Sequence, residues 1–240
     1  MLHWLQSCQS LIIHRNLFCP RNRRLWRAAF GYHHLYKPTK YTKRSRINAI
    51  RIHSDFNKVT YDHDLALFQL SRPITYNNYI QPVCLPHSSL SLSKLTTCYI
   101  TGWGVKKENG TGSYILQEAE VEIIPLKTCN RVDWYMGMIS ENSLCAGSES
   151  GKVDSCQGDS GGPLVCYFPN ENKFYQLGVT SHGYGCGRPK LPGIYVNLAK
   201  YTDWIDNRLH GRTTTLCIHH TLTFLTVLLV TFHCTKITPN

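Results

Sequence analysis

Asp154-Ser-Cys-Gln-Gly-Asp-Ser-Gly-Gly-Pro163 is the stretch from which the rest of the chain can be read. It sets a serine, Ser160, among small residues and beside an acid, Asp159. A serine hydroxyl is a weak nucleophile at neutral pH. It becomes effective when a base takes its proton and hydrogen-bond donors hold the oxyanion that follows. The glycines answer the second need: Gly158 and Gly161 put no side chain against an incoming carbonyl, and glycine reaches backbone angles that aim N–H groups at one point. The N–H groups of Gly158 and Ser160 are therefore expected to form an oxyanion hole. Gly158–Gly162 also fits the strand–turn–helix elbow of α/β-hydrolases, but that motif wants a helix behind the serine and its Asp and His after it. Here Leu164-Val-Cys166 reads as a strand, and the candidate acid, Asp64, comes before.

Further stretches stand around the serine loop: Asp62-His-Asp-Leu-Ala-Leu67, Tyr79-Ile-Gln-Pro-Val-Cys-Leu-Pro86, Thr101-Gly-Trp-Gly104, Leu144-Cys-Ala-Gly147 and Pro192-Gly-Ile-Tyr195. In this order they resemble the trypsin-like (chymotrypsin-fold) serine proteases from about Trp26 to Leu209, and in detail the acrosin and transmembrane-serine-protease branch. The resemblance implies an all-β fold of two antiparallel six-stranded Greek-key barrels with a short closing helix. It implies a serine endopeptidase, without metal or cofactor, that cleaves after Arg or Lys. Ser160 takes the nucleophile's position and Asp64 that of the buried acid that orients a histidine. Asp154, six residues before Ser160, falls at the floor of the substrate pocket, where a carboxylate pairs with a basic side chain. Gly183 and Gly193 match the pocket-wall glycines, and Ser181 and Gly183 the backbone partners of the substrate strand. His182 departs from the family, which has tryptophan there. The resemblance also implies disulfides Cys98–Cys166, Cys129–Cys145 and Cys156–Cys186, and it gives Cys84 a bond to an upstream segment; Cys8, Cys19, Cys217 and Cys234 receive no partner.

Residues 1–24 do not look like the family and do not read as a signal peptide, because Gln6, Ser7, Gln9 and Ser10 interrupt the approach to the short apolar run Leu11–Ile13. The expectation is a domain over residues 25–209, truncated at its start and with its first barrel incomplete, followed by a tail over 210–240. The family's Thr-Ala-Ala-His-Cys segment is not found. Nor is an activation site, whose cleavage frees the α-amino group that pairs with the acid before the nucleophile, here Asp159. In the Ser-His-Asp triad of chymotrypsin-fold proteases the histidine precedes the aspartate by about 45 residues. His14, in Leu11-Ile-Ile-His-Arg15 and fifty residues before Asp64, is the only histidine near that spacing. His33 and His34 lie too close to Asp64, and His53 and His63 read as surface residues. On this evidence a non-catalytic homologue, whether a binding or decoy module or a truncated splice product, stands against the endopeptidase reading, and the missing histidine segment favours it.

Length and composition agree with one all-β domain of double-barrel size, and 42% hydrophobic residues are enough for a core. Eleven cysteines point to an oxidising compartment, hence an extracellular or cell-surface location. Residues 1–54 hold eleven Lys or Arg and no Asp or Glu, while the remainder holds fifteen of each sign, so the whole net charge of +11 sits in the first quarter. Such a block suits glycosaminoglycan, acidic membrane or nucleic acid, or simply a solvated arm. No nucleic-acid module is recognisable, and nucleic acid is not expected as a partner. The expected partners are protein or peptide substrates with Arg or Lys at the cleaved bond, serine-protease inhibitors, and a membrane reached through residues 216–234. That segment's densest apolar part, Leu222–Phe232, is short for a full span. Asn109-Gly-Thr111 is a glycosylation sequon.

Overall fold

The computed structural model describes residues 22–87, 90 and 97–210. Its strands are β1 (Arg27–Phe30), β2 (Lys43–Ile52), β3 (Ala66–Leu70), β4 (Thr97–Gly102), β5 (Gln117–Ile124), β6 (Ser143–Gly147), β7 (Pro163–Phe168), β8 (Lys173–His182) and β9 (Gly193–Asn197). A one-turn helix α1 (Leu126–Cys129) follows β5, and α2 (Thr202–His210) closes the described chain. β1, β2 and β3 form an antiparallel three-stranded sheet, and β4-β5-β6-β9-β8-β7 form a closed barrel. Closure removes the exposed edges that an open six-stranded sheet would carry. Among the described residues the first half is thus a sheet rather than a six-stranded barrel, as the incomplete first barrel anticipated.

Alternation explains how the halves meet. In β3, Ala66, Phe68 and Leu70 point into the core of the first sheet with Trp26, Phe30 and Ile47. Successive strand residues face opposite ways, so Leu65 and Leu67 point out of that core. They pack instead with Val179, Val196, Leu198, Tyr201 and Ile205 of the second half. One strand therefore serves two cores, and Asp64, two residues before it, is carried to the joint. Tyr201, Ile205 and Leu209 recur at helical spacing, which is why α2 lies on that joint. The barrel has its own interior of Ile100, Leu144, Leu164, Leu177 and Tyr195.

Polar clamps reinforce the joint. Leu35 N–H donates to Tyr114 O at 2.9 Å and Leu116 N–H to His33 O at 2.8 Å. Asp62 Oδ1 accepts from Ser140 Oγ at 2.9 Å and Asn142 Nδ2 at 3.1 Å. His53 and His63 are half-buried rather than fully exposed: their rings stack 4.9 Å apart, His63 Nδ1 lies 3.0 Å from Tyr201 Oη, and His53 abuts Trp204. Position beside a strand reads as surface in a sequence; α2, more than a hundred residues later in the chain, covers both.

This cluster makes a pH prediction. Burial, with His63 beside it, lowers the pKa of His53 below 6.5. Burial raises that of Asp62, but hydrogen bonds from Asn142 and Ser140 outweigh it and hold the carboxyl below 3.8. Both shifts are downward, so both groups contribute stability that is present above the unfolded-state pKa and lost as pH falls through the folded-state one. These two groups alone lower the melting temperature as pH drops below about 6.5, against the opposite contribution of buried Asp154. His53→Gln removes the first part of that loss and leaves the part below about 3.8, which belongs to Asp62. Thermal melts of both proteins across this range check it.

Candidate active site

A bulge aims the first group. Near the end of β8, Thr180 pairs with Tyr195 and His182 with Ile194, leaving Ser181 as the extra residue. Bulges re-aim a side chain, and here Ser181 Oγ donates to Asp64 Oδ2 at 2.7 Å. Asp64 is 0% exposed and Ser181 4%, and a carboxylate buried this deeply requires such donors. Ser181 Oγ is also 3.0 Å from His182 Nδ1, and the His182 ring stacks on Tyr61 with centroids 5.1 Å apart.

Ser160 is partly exposed, in the loop entering β7. That loop is fastened to the next residue of β8: Gly161 N–H donates to Thr180 O at 2.8 Å, and Thr180 N–H donates to Gly162 O at 2.9 Å. The serine loop and Asp64 are therefore held by two consecutive residues, Thr180 and Ser181. Gly158 adopts φ +96° and Gly161 φ +83°, conformations that favour glycine on both sides of the serine. Asp159 turns to the barrel: its Oδ1 accepts the Gly104 N–H at 2.8 Å and its Oδ2 the Cys156 N–H at 3.0 Å.

Those contacts leave no room beside Asp159. A Cβ on Gly104 would come within 2.5 Å of the Asp159 carboxyl carbon, and one on Gly102 would come within 1.9 Å of its Oδ1. Gly104→Ala is therefore expected to displace Asp159 and the serine loop with it. The cost is about 1–3 kcal/mol, read as a lower melting temperature together with weaker covalent labelling of Ser160 by a fluorophosphonate.

Asp154 lies on the other side of the loop. Its Oδ2 accepts the Gly187 N–H at 3.0 Å, and its Oδ1 is buried without a hydrogen-bond partner. Burial raises its pKa to about 6, against the opposing effect of the Gly187 N–H. Gly193 stands over it, since a Cβ there would meet Asp154 Oδ1 at 2.7 Å; a Cβ on Gly183 would meet nothing nearer than 3.8 Å. The Cys156–Cys186 disulfide joins the serine loop to the segment carrying Gly187, and the Cys98–Cys166 and Cys129–Cys145 disulfides brace the barrel. A cavity of about 380 Å³ reaches the backs of Asp154 and Asp159 from the β4–β5 side, past Gly104 and Glu118. Ser160 does not line it.

The structure thus joins Asp64 to Ser181, the loop of Gly158 and Ser160 to neighbouring Thr180, and Asp154 to Gly193, next to which Gly183 lies. Asn109 stands apart on an exposed turn, at φ +59°. Cys84 is half-buried and not disulfide-bonded among the described residues. His14, Cys8, Cys19, Cys217, Cys234 and residues 216–234 lie outside them. Among the described residues no helix is long and apolar enough to cross a membrane and no cluster of ligating side chains is built for a metal. Sequence reasoning missed the Ser181–His182 link and the Tyr61 stack. The signal was the pair Ser181-His182 itself, two hydrogen-bonding groups at a strand end, but only the bulge places both on one side.

A closed six-stranded barrel, a second sheet sharing a core with it, and a serine loop and a buried aspartate at their joint define a class. The chain belongs to the trypsin family: the family model for trypsin matches residues 13–205. Among curated proteins it is 39% identical over 188 residues to transmembrane protease serine 11G of Mus musculus and, to the same extent, to that of Rattus norvegicus. Those alignments take in 78% of this chain and 44% of each relative, so the chain spans less than half the length of the proteins it matches.

Proposed function

We propose that this chain carries a serine endopeptidase site that cleaves after Arg or Lys, with Ser160 as nucleophile and Asp64 as orienter of the base. The observation that carries this reading is Asp154: a carboxylate with one buried, unpartnered oxygen, close against Gly193 and in the segment that the Cys156–Cys186 disulfide fastens to the one carrying Gly187. An unpaired buried anion is costly unless a cation completes it, and a long basic side chain passing Gly183 and Gly193 does so. The N–H groups of Gly158 and Ser160 are the oxyanion donors in this reading. Ser181 and Gly183 bind the substrate backbone.

The base is assigned to His14. The family match begins at Ile13, one residue before it, so the histidine fifty residues ahead of Asp64 lies inside the matched stretch. Asp159, which lines the 380 Å³ cavity, is the group that a liberated α-amino terminus would pair with.

The second reading, a non-catalytic homologue that binds basic segments without cutting them, draws on the sequence around His14, where Arg15 replaces the family's cysteine. Digestion of a degenerate peptide mixture, with the cut bonds mapped by mass spectrometry, separates the two. Cuts confined to bonds after Arg and Lys are the expected result. Cuts without basic preference overturn the specificity, and a folded chain that binds a small aromatic amidine but cuts nothing establishes the binding module.

The relatives are named as transmembrane proteases, and these names together with the three disulfides support a location at the cell surface or outside the cell for the proposed activity. Protein substrates, protease inhibitors, anchoring through residues 216–234 and glycosylation of Asn109 belong to the same proposal.

A further inference from the structure

The described residues 22–54 carry nine Lys or Arg and no Asp or Glu, and the fold puts part of this charge on one face. In the β1–β2 pairing Arg27 stands opposite Arg46, and Ala29 opposite Arg44. Ala28 and Phe30 are both 0% exposed and point into the core. Strand alternation therefore sends Arg27, Arg44 and Arg46 to the outer side together. Arg23 lies over the same ribbon, its guanidinium donating to the main-chain carbonyl and the side-chain oxygen of Asn48 in β2.

Like charges directly opposite on neighbouring strands destabilise a sheet, so this arrangement works against folding. Among the described residues no Asp or Glu compensates it. Every Asp and Glu lies among the described residues, and none forms an ion pair with these arginines. Their recorded partners are neutral: Arg27 Nη1 donates to Arg24 O and Trp26 O, each at 2.8 Å, and Arg44 Nε donates to Tyr32 Oη at 2.8 Å. These bonds hold each guanidinium by one edge, and a guanidinium has five N–H donors.

From this we infer that the outer face of the β1–β2 ribbon binds a sulfated glycosaminoglycan. A linear polysaccharide bearing repeated sulfates and carboxylates matches a comb of guanidinium groups, spaced about 4.8 Å across strands and about 6.8 Å along them. Planar guanidinium forks pair with such oxyanions by two parallel hydrogen bonds, which lysines do not do. Between the arginines of the paired strands the outer face offers only Ala29, and the exposed Leu25 beside them is a single apolar side chain, short of the apolar face with which an element enters a bilayer. Three disulfides put the face in an oxidising compartment, where such polysaccharides are met and nucleic acid is not. The inference does not depend on catalysis.

Binding of the whole chain to immobilised heparin at fixed salt tests it. Arg27→Gln/Arg46→Gln is expected to weaken binding by about tenfold or more through lost charge-assisted bonds. Lys127→Gln/Lys200→Gln removes the same charge from exposed positions on the second half and is expected to change binding by less than about twofold. The first variant should melt no lower than the parent, because its opposed charges are gone, so loss of binding is not loss of fold. Arg44→Lys, which keeps the charge and loses the fork, should weaken binding several-fold. Equal losses in the two double variants overturn the proposal in favour of net charge alone. Equal binding of desulfated heparin, or tighter binding of phosphatidylserine vesicles or duplex DNA at the same salt, overturns it in favour of another polyanion.

Discussion

Ser160→Ala is expected to abolish turnover, with a loss in kcat on the order of a million-fold, the scale seen when the nucleophile of a serine triad is removed. The size follows from the arrangement. The hydroxyl stands at the end of a loop bonded to Thr180, while Ser181, the next residue, bonds to Asp64. Removing one oxygen leaves that framework intact, so the melting temperature should stay within a degree or two of the parent; surface or half-exposed substitutions away from packing are worth about 0.5 kcal/mol or less. Binding of a small aromatic amidine should be unchanged, since the variant keeps Asp154, Gly183 and Gly193. A steady-state assay with an Arg ester or amide, run beside an amidine titration, checks both halves. Turnover that survives the substitution would place the chemistry elsewhere.

Asp154→Asn carries the second large effect. The charged partner of a buried, hydrogen-bonded pair is worth about 2–5 kcal/mol when removed. The variant should therefore lose roughly a thousand-fold in kcat/KM on Arg substrates and little on apolar ones. The same residue links binding to pH with two opposite signs. Its folded-state pKa is raised from 3.8 to about 6 by burial, so the neutral form suits the empty fold. The stability it contributes is full below 3.8 and is lost as pH rises through about 6, a loss on the order of 3 kcal/mol. A basic ligand needs the ionised form, so amidine affinity should rise over that same interval while the melting temperature of the empty protein falls relative to Asp154→Asn. Amidine binding isolates this titration from that of any catalytic histidine, because it needs no chemistry.

Much of this was readable from residue order, and the reasons are local. The serine loop declares itself because its glycines are required at positive φ within a few residues of the nucleophile, so the constraint is written in one short stretch. The disulfides follow from the resemblance in the same way, since covalent partners tolerate no substitution without losing the bond. β3 is legible as a short apolar run, Leu65-Ala-Leu-Phe-Gln-Leu70, of strand length.

What resisted reading is long-range and polar. Asp62 meets Ser140 and Asn142 across 78 and 80 residues, and neither partner belongs to a periodic pattern. His53 and His63 pass for surface residues until α2 folds over them. The bulge at Ser181 leaves no mark in composition, yet it decides that one serine hydroxyl reaches both Asp64 and His182. The outer arginines were visible as a count, but only the β1–β2 register puts Arg27 against Arg46.

Labelling of the folded chain with a fluorophosphonate, followed by peptide mapping, tests the central claim most directly. The account predicts one labelled residue, Ser160, with labelling lost in Ser160→Ala and reduced on the order of a thousand-fold or more in rate in His14→Ala. Absence of label on a chain that circular dichroism shows to be folded would contradict it and leave a binding module in the shape of a protease.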